Sequence, residues 1–334
     1  DPSYSGVNRS ASSKAFTRRL GPVGRYPVAA AAALALIIAT AGFAIGRYSS
    51  SNTTPQPTSR FVISTSSDQR LTSFANLNIA MAPDGRSVVY VGQSERGGQL
   101  FLRKIDELVA VPIPGTQKGT DPAFSLDGRW ITFTLGSQMY KTPVYGGAAT
   151  QLPISDVSPA TPVVMLDDDV IATTNAGLLM RFPPNGKPVV IAKPDSSKHE
   201  VWLFLADVLP GGKKGLMLAI GGGTSYGRGY LLDLKSGERS LIIDEAIGYL
   251  SYDDGYLVWV QRDGTVVSAP FNGKKVTGTP VTLAQGVRYT VGGPPQFAMS
   301  KSGSMAYIPE TPFELTYVDR TGKVERVLDL ERRF

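Results

Sequence analysis

The chain has 334 residues, with 34 Lys and Arg against 28 Asp and Glu, and it contains no cysteine. The lack of cysteine excludes disulfide bonds, thiolate catalysis and cysteine-ligated metal sites. The formal charge of +6 arises from residues 1–60, which hold seven bases and one acid, leaving 27 of each in residues 61–334. The second region is therefore neutral, and the charge pattern predicts no nucleic-acid partner.

An uncharged apolar run at 28–45 is typical of a transmembrane helix. At ~1.5 Å per residue it would span about 27 Å, close to the ~30 Å hydrocarbon core of a bilayer. Its apolar character depends on seven large side chains: Val28, Leu34, Leu36, Ile37, Ile38, Phe43 and Ile45. We predict a disordered, basic segment at 1–26, a membrane helix at 27–46 and a polar linker at 47–60.

The charges that flank the run predict its orientation. Lys14, Arg18, Arg19 and Arg25 precede it, whereas Arg47 alone follows it before Arg60. Positive flanks stay in the cytoplasm, so we predict a single-pass protein of a bacterial inner membrane with a cytoplasmic N-terminus and residues 61–334 outside. Two alternatives remain open. The run could be a secretory signal cleaved near Ala39-Thr40-Ala41, or a buried core helix.

A strand–turn–strand unit recurs along residues 61–334. The first copy is Ala82-Pro83-Asp84-Gly85-Arg86, and Gly85, Gly128, Gly212, Gly255 and Gly303 follow one another at 43, 84, 43 and 48 residues. The interval of 84 is two steps of 42, and a variant copy, Asp167-Asp168-Asp169, lies midway. The turn positions are Asp84, Gly85, Asp127, Gly128, Gly211, Gly212, Asp254, Gly255 and Gly303.

The residue types at these positions suit tight hairpin turns. Proline presets φ, aspartate accepts hydrogen bonds from nearby amides, and glycine adopts positive φ. The aspartate is missing from Pro210-Gly211-Gly212 and Lys301-Ser302-Gly303, so the repeat conserves a turn geometry and not a charge. We therefore interpret it as a structural repeat, with no catalytic, cofactor or metal site at the turns.

A period in the forties that contains only strands is the signature of a β-propeller. We predict an all-β, six-bladed propeller of four-stranded blades over 61–334, preceded by one transmembrane helix. A β-sandwich is the alternative. Strand 61–64 could pair with the last blade and close the ring. The predicted blades are 75–116, 117–156, 157–197, 198–245, 246–290 and 291–334.

Several strings, taken together and in order, resemble the extracytoplasmic propeller region of bacterial transmembrane serine/threonine kinases, which is built of TolB-like, WD-repeat-like blades. They include 82–91, 99–103, 143–147, 207–213, 233–239, 276–281 and 317–322. The resemblance covers about 60–334 and the preceding span. It implies a sensor or scaffold domain that binds a protein or small molecule outside the membrane.

The resemblance also implies a cytoplasmic kinase domain, whose His-Arg-Asp, Asp-Phe-Gly and glycine-rich motifs are not in this sequence. We therefore expect a fragment, without phosphoryl-transfer activity of its own. Three alternatives stay open: a periplasmic TolB-like envelope scaffold, the propeller part of a peptidase or other hydrolase, and the sensor part of a membrane-bound winged-helix regulator.

Other candidate residues have simpler interpretations. Ser225 lies in a Gly-x-Ser-x-Gly pattern, but the strand-like segments on both sides favour a glycine-rich loop over a nucleophile elbow. The single histidine, His199, is predicted to be a packed or surface residue. Asp167-Asp168-Asp169 is too short for a dedicated calcium loop. Trp130, Trp202 and Trp259 are expected in the core between blades, with ligand stacking as the alternative.

Overall fold

The computed structural model describes residues 61–63, 65, 69–71, 77–94, 97–154, 156–158, 163–289, 293–310, 315–318 and 324–328. The predicted segments 1–26, 27–46 and 47–60 lie outside these residues. The described part contains no helix that is long and apolar enough to cross a membrane. The chain divides into two compact units, Asp1–Ile63 and Ser64–Phe334, and every described strand belongs to the second.

The first half of this unit forms three antiparallel sheets of four strands, each in sequential order. Their strands are β1 (Ile79–Met81), β2 (Ser87–Ser94), β3 (Gly97–Lys104) and β4 (Val111–Pro112); β5 (Thr120–Phe124), β6 (Trp130–Leu135), β7 (Gln138–Pro143) and β8 (Thr150–Gln151); and β9 (Val164–Leu166), β10 (Asp169–Thr173), β11 (Leu179–Phe182) and β12 (Val189–Ala192).

A seven-stranded antiparallel sheet follows a short 3-10 helix at Ser196–Lys198. Its strands are β13 (Glu200–Val208), β14 (Lys214–Gly221), β15 (Gly227–Asp233), β16 (Arg239–Asp253), β17 (Tyr256–Gln261), β18 (Val266–Pro270) and β19 (Val281–Ala284). Strand β16 has 15 residues; its first part pairs with β15 and its second part with β17. It thus runs continuously through the blade boundary predicted at 245/246.

Two hairpins complete the described strands: β20 (Phe297–Met299) with β21 (Met305–Tyr307), and β22 (Leu315–Val318) with β23 (Val324–Leu328). The expectation of an all-β chain is confirmed for the described residues. Residues 61–63 belong to no strand. The predicted closing strand 61–64 is therefore not found in the described part of that segment.

The central strands of the sheets bury side chains on both faces. In β17 four consecutive residues, Leu257 to Val260, are buried, and in β3 five residues from Gln99 to Arg103 are buried. A strand that buries successive side chains must be covered on both sides of its sheet. These sheets therefore stack face to face and share their cores.

Apolar clusters fill the spaces between consecutive sheets. One joins Val89 and Leu100 of the first sheet to Phe133 of the second, and another joins Val260 of the seven-stranded sheet to Phe297 of β20. At ~25 cal/mol per Å² of buried apolar surface, these shared interfaces supply the main stabilisation that a single sheet could not obtain alone.

The first sheet also meets the β20–β21 hairpin directly. Strand β1 packs against β20 and β21, and the amide of Asn78 donates to Oε1 of Gln296 over 2.8 Å. Both residues are almost fully buried, at 2% and 0% exposed. The sequence of sheets thus returns to its start, although its ends are more than 200 residues apart in the chain.

Candidate functional site

The repeated turns join the first two strands of successive units, and their glycines have the positive φ that the hairpins require. Gly85 and Gly128 have φ of +72° and +69°. Asp84 accepts a hydrogen bond from the amide of Arg86 at 2.9 Å, and Asp127 accepts one from Arg129 at 3.0 Å. The other turn glycines, Gly211, Gly212, Gly255 and Gly303, also have positive φ, and so does Asp254.

Neighbouring turns contact one another. A Cβ at Gly128 would lie 3.5 Å from Pro83 Cδ, and the backbone amide of Lys301 donates to the carbonyl of Pro83 at 2.9 Å. A Cβ at Gly212 would lie 3.6 Å from Leu166. The structure therefore brings the turns together around one end of the stacked sheets, which we call the turn end.

A buried carboxylate links three of these hairpins. Asp207, at the end of β13, has a side chain only 6% exposed and forms an ion pair with Lys301 of the β20–β21 turn. Its Oδ2 accepts from Ser251 Oγ at 2.8 Å and from the amide of Tyr252 at 2.9 Å, both on β16. Its Oδ1 also accepts from the amide of Val208 at 2.7 Å. Because each oxygen has two donors, the charge is fully compensated despite its burial.

A second carboxylate at the turn end has the opposite character. Burial raises the pKa of Asp253, the nearby Asp254 and Asp207 carboxylates add to the rise, and Lys301 partly offsets it. Asp253 and Asp254 have no salt bridge within the described residues. The turn end therefore carries more negative than positive charge around the Asp207–Lys301 pair.

A cavity of about 370 Å³ extends from the turn end along the first strand of each successive unit. Most of its lining is apolar. Polar groups lie near its two ends: Asp207, Ser251 and Lys301 at the turn end, and Thr224 and Ser225 in the β14–β15 loop. The apolar and aromatic side chains that line it include Ile79, Met81, Phe124, Trp202, Phe204, Ala206, Leu218, Ile220, Tyr249 and Phe297.

The aromatic lining has defined geometry. Trp202 and Phe204 alternate on β13, and their rings are stacked at 6.5 Å with only 5° between their planes. Tyr249 contacts Phe297 edge to face at 4.8 Å. Burial and the nearby Asp207 carboxylate raise the pKa of Tyr249, so its hydroxyl stays protonated at neutral pH. A mostly apolar, aromatic cavity with a few polar groups is the usual form of a small-molecule site.

The structure places the other sequence candidates apart from one another. Ser225 follows β14 and precedes β15, so the strand–turn–helix of a nucleophile elbow is not formed there. His199 is exposed and ends the 3-10 helix with φ of +58°. Asp167 and Asp168 form an exposed turn, and Asp169 pairs with Arg181 at 3.4 Å. Within the described ranges no cluster of His, Asp or Glu could hold a metal ion.

The three tryptophans have different environments. Trp259 is 2% exposed in the core of the seven-stranded sheet, and its Nε1 donates to Glu245. Trp130 is half-buried with the Lys141 ammonium 4.5 Å from its ring centroid. Trp202 alone of the three lines the central cavity. The expected core position is thus found for Trp259, whereas ligand stacking by Trp202 stays a prediction.

Sequence reasoning did not identify Asp207, Lys301 or Gln296 as residues that join the hairpins. Asp207 had one visible signal: it is a charged residue within the apolar run of β13. Its partners on the other hairpins lie 44 to 94 positions away, so no local pattern could have named them.

No protein-family model matches the chain, and neither does any curated protein sequence. Solved structures do resemble it. A protein assigned as TolB from Agrobacterium tumefaciens has a TM-score of 0.52 and 14% sequence identity, over 71% of this chain and 90% of that one. TolB from Acinetobacter baumannii has a TM-score of 0.48 and 16% identity, over 63% of this chain and 54% of that one.

The β-propeller domain of Cps50 (Swd1) from Myceliophteria thermophila has a TM-score of 0.45 and 13% identity, over 78% of this chain and 88% of that one. This chain spans about half the length of the Acinetobacter protein. At such identities a structural match reports the fold and not the activity. The described strands thus form a β-propeller fold of the TolB type.

Proposed function

We propose that residues 61–334 form a six-bladed β-propeller that binds a ligand outside the membrane, as the sensor or scaffold domain of a single-pass receptor. In this proposal a serine/threonine kinase domain lies on the cytoplasmic side. The central cavity of about 370 Å³, with its aromatic lining, is the observation that carries the binding function.

The contacts at the turn end support six blades. The hairpins that begin at β1, β5, β9, β13, the second part of β16 and β20 touch in that order, and the last touches the first. Seven blades would need a further unit between β20 and β1, where direct contacts already exist.

Several features favour binding over catalysis. The cavity contains no histidine, and its buried carboxylate, Asp207, already accepts four hydrogen bonds. Ser225 has no general base among the described hydrogen bonds. A nucleophile needs an adjacent base to be activated, and such a pair is not formed there.

The membrane topology is supported by the sequence: an apolar run at 28–45, preceded by basic residues and followed by a polar linker. Residues 1–334 contain no cysteine, which permits a direct test. Ser13→Cys, in the basic segment, and Lys274→Cys, at an exposed hairpin tip, each create one labelling site.

We expect a membrane-impermeant maleimide to label Lys274→Cys in intact spheroplasts, and Ser13→Cys only after lysis. Labelling of Ser13→Cys in intact spheroplasts, or protection of Lys274→Cys, would contradict the receptor topology. The unmodified chain serves as the blank in both conditions.

A TolB-like envelope scaffold is the second candidate, because the fold matches a TolB structure with a TM-score above 0.5. It requires cleavage after Ala39-Thr40-Ala41 instead of a membrane anchor. The mass of the mature chain distinguishes the two: retention of residues 1–41 supports the receptor, and their loss supports the scaffold.

A further inference from the structure

We infer that the central cavity selects a planar aromatic molecule that is neutral or positively charged. This inference rests on the proposed binding function and names the chemistry of its ligand. It depends on three features of the described residues: the shape of the aromatic lining, the size of the cavity and the distribution of charge at the turn end.

The lining contains a parallel pair of aromatic rings. On β13, Leu203 and Leu205 are 0% and 1% exposed, whereas the alternating residues Trp202, Phe204 and Ala206 are partly exposed and line the cavity. One side of the Trp202–Phe204 stack packs on the apolar core below, so the rings are held in place. A fixed, parallel aromatic pair favours a ligand that stacks in the offset or edge geometry of aromatic contacts.

The size of the cavity limits the ligand to a small molecule. At about 30 Å³ per water, 370 Å³ holds roughly a dozen waters, and it lies near the lower end of the range for small-molecule pockets. A bicyclic aromatic molecule fits this volume. Water beside the apolar side chains of Trp202, Phe204 and Ile220 would have few hydrogen-bonding partners, so its displacement by the ligand would favour binding.

Charge at the turn end decides the sign of the ligand. Lys301 is the cation that lines this end of the cavity, and Asp207 already neutralises it. Asp253 and Asp254 line the adjoining cleft, and neither has a salt bridge within the described residues. Among the described residues that line the cavity and this cleft, an anionic ligand would meet no cation other than the paired Lys301, and the Asp253 and Asp254 carboxylates would repel it, whereas a cation would be attracted.

The test compares one ring system in three charge states. The full chain in lipid nanodiscs is dialysed against 2-naphthylmethylamine, which is protonated at pH 7, 2-naphthalenemethanol, and 2-naphthoate, with empty nanodiscs as the blank. We expect saturable binding of the amine and the alcohol at one per chain, and binding of the naphthoate at least about tenfold weaker. Tighter binding of naphthoate, or no saturable binding of any probe, would overturn the inference.

Two matched substitutions locate the site. Trp202→Ala removes the stacking surface and should weaken binding of the amine and the alcohol about tenfold, whereas Trp130→Ala, outside the cavity, should leave it unchanged. Equal effects of the two substitutions would overturn the assignment. If Trp202→Ala unfolds, Ala206→Leu narrows the cavity and should also reduce binding. The probes can fail while the maleimide test succeeds, so the two proposals are tested separately.

Discussion

Two ion pairs, each with a buried carboxylate, stabilise this domain in different ways. Asp207 and Lys301 are 94 positions apart and belong to separate hairpins that meet at the turn end. Glu200 and Arg239 are 39 positions apart and begin two strands, β13 and β16, of the seven-stranded sheet. The first pair joins sheets to one another, and the second pair lies within one sheet.

Their surroundings differ as well. Glu200 accepts from Arg239 at 2.7 Å, from the amide of Asp195 at 2.8 Å and from the Tyr230 hydroxyl at 3.4 Å. Its side chain is 5% exposed, while that of Arg239 is 15% exposed and lies 5.1 Å from the Tyr230 ring. Burial and the Glu200 carboxylate raise the pKa of Tyr230.

The comparison separates two uses of a buried charge. A pair within one sheet stabilises strands that local hydrogen bonds already align. A pair between sheets joins strands that no backbone hydrogen-bond ladder connects among the described residues. A buried pair often contributes little net energy compared with apolar packing, but removing one partner is costly because the other charge remains. The position of each pair therefore decides which part of the domain fails when it is broken.

Asp207→Ala should have the largest effect. It removes the acceptor of Lys301 Nζ, Ser251 Oγ and two amides, and we expect a loss of about 3–5 kcal/mol in the free energy of unfolding. Urea unfolding of the full chain, followed by tryptophan fluorescence, measures this loss. Amide exchange should also accelerate in β20, because Lys301 anchors that hairpin.

Asp244→Ala is the control for Asp207→Ala. Asp244 pairs with Arg228 at 2.8 Å on the surface, with side chains 72% and 52% exposed, so its removal should cost ~1 kcal/mol or less. A similar small loss for Asp207→Ala would refute the idea that its ion pair joins the sheets.

Glu200→Gln should cost about 2 kcal/mol, less than Asp207→Ala. Glutamine keeps a side-chain oxygen that accepts hydrogen bonds at this position, whereas alanine at position 207 has no side-chain acceptor. Amide exchange should accelerate at the start of β13 and remain unchanged in β20. Faster exchange in β20 would show that the two pairs are coupled and not independent.

Glycine substitutions test the contact between neighbouring turns without changing a charge. Gly85 and Gly255 have φ of +72° and +87°, so alanine is strained at either. A Cβ at Gly85 would lie 2.6 Å from Ser302 Oγ in the neighbouring turn, whereas one at Gly255 would meet nothing within 4 Å. We expect Gly85→Ala to cost about 1 kcal/mol more than Gly255→Ala in urea unfolding. Equal losses would mean that the contact between Gly85 and Ser302 relaxes without a cost in stability.

The repeat spacing was sufficient to predict the all-β fold and the positions of the turns. Pro83, Asp84 and Gly85 determine their own hairpin through local φ and hydrogen bonds, so a short string predicts the local structure. Short local patterns also predicted the strands before and after each turn. They depend on interactions between residues a few positions apart, which a sequence displays directly.

The cavity and the joining contacts could not be predicted in this way. Trp202 and Trp259 both occupy strand positions, yet one lines the cavity and the other is in the core, because the stacking of whole sheets decides which face remains open. The continuity of β16 through 245/246 likewise depends on pairing with two different strands. Asp207 and Lys301 meet only after the sheets have closed into a ring.

The smallest predicted effect concerns two carboxylates at the turn end with opposite pKa shifts. Burial opposes ionisation of Asp127, but hydrogen bonds from Ser125 and Arg129 outweigh it and lower its pKa. Asp127 therefore stabilises the fold above its unfolded pKa of ~3.9, and this contribution is lost as the pH falls through its folded pKa. Asp253 has a raised pKa, so the folded state holds its proton more tightly and ionised Asp253 destabilises the fold at higher pH.

Asp127→Asn should thus lower the unfolding free energy at pH 7, and Asp253→Asn should raise it, each by no more than about 0.5 kcal/mol because both groups are partly hydrated. Both differences should vanish in acid. That of Asp253→Asn shrinks as the pH falls through its raised folded pKa and is gone below pH ~4, whereas that of Asp127→Asn begins to shrink near pH ~4 and is gone only below its lowered folded pKa. Urea midpoints measured from pH 3 to pH 7 test the signs. A loss of stability in Asp253→Asn at pH 7 would mean that its carboxylate is compensated by a cation, and it would remove the charge argument for a neutral or cationic ligand.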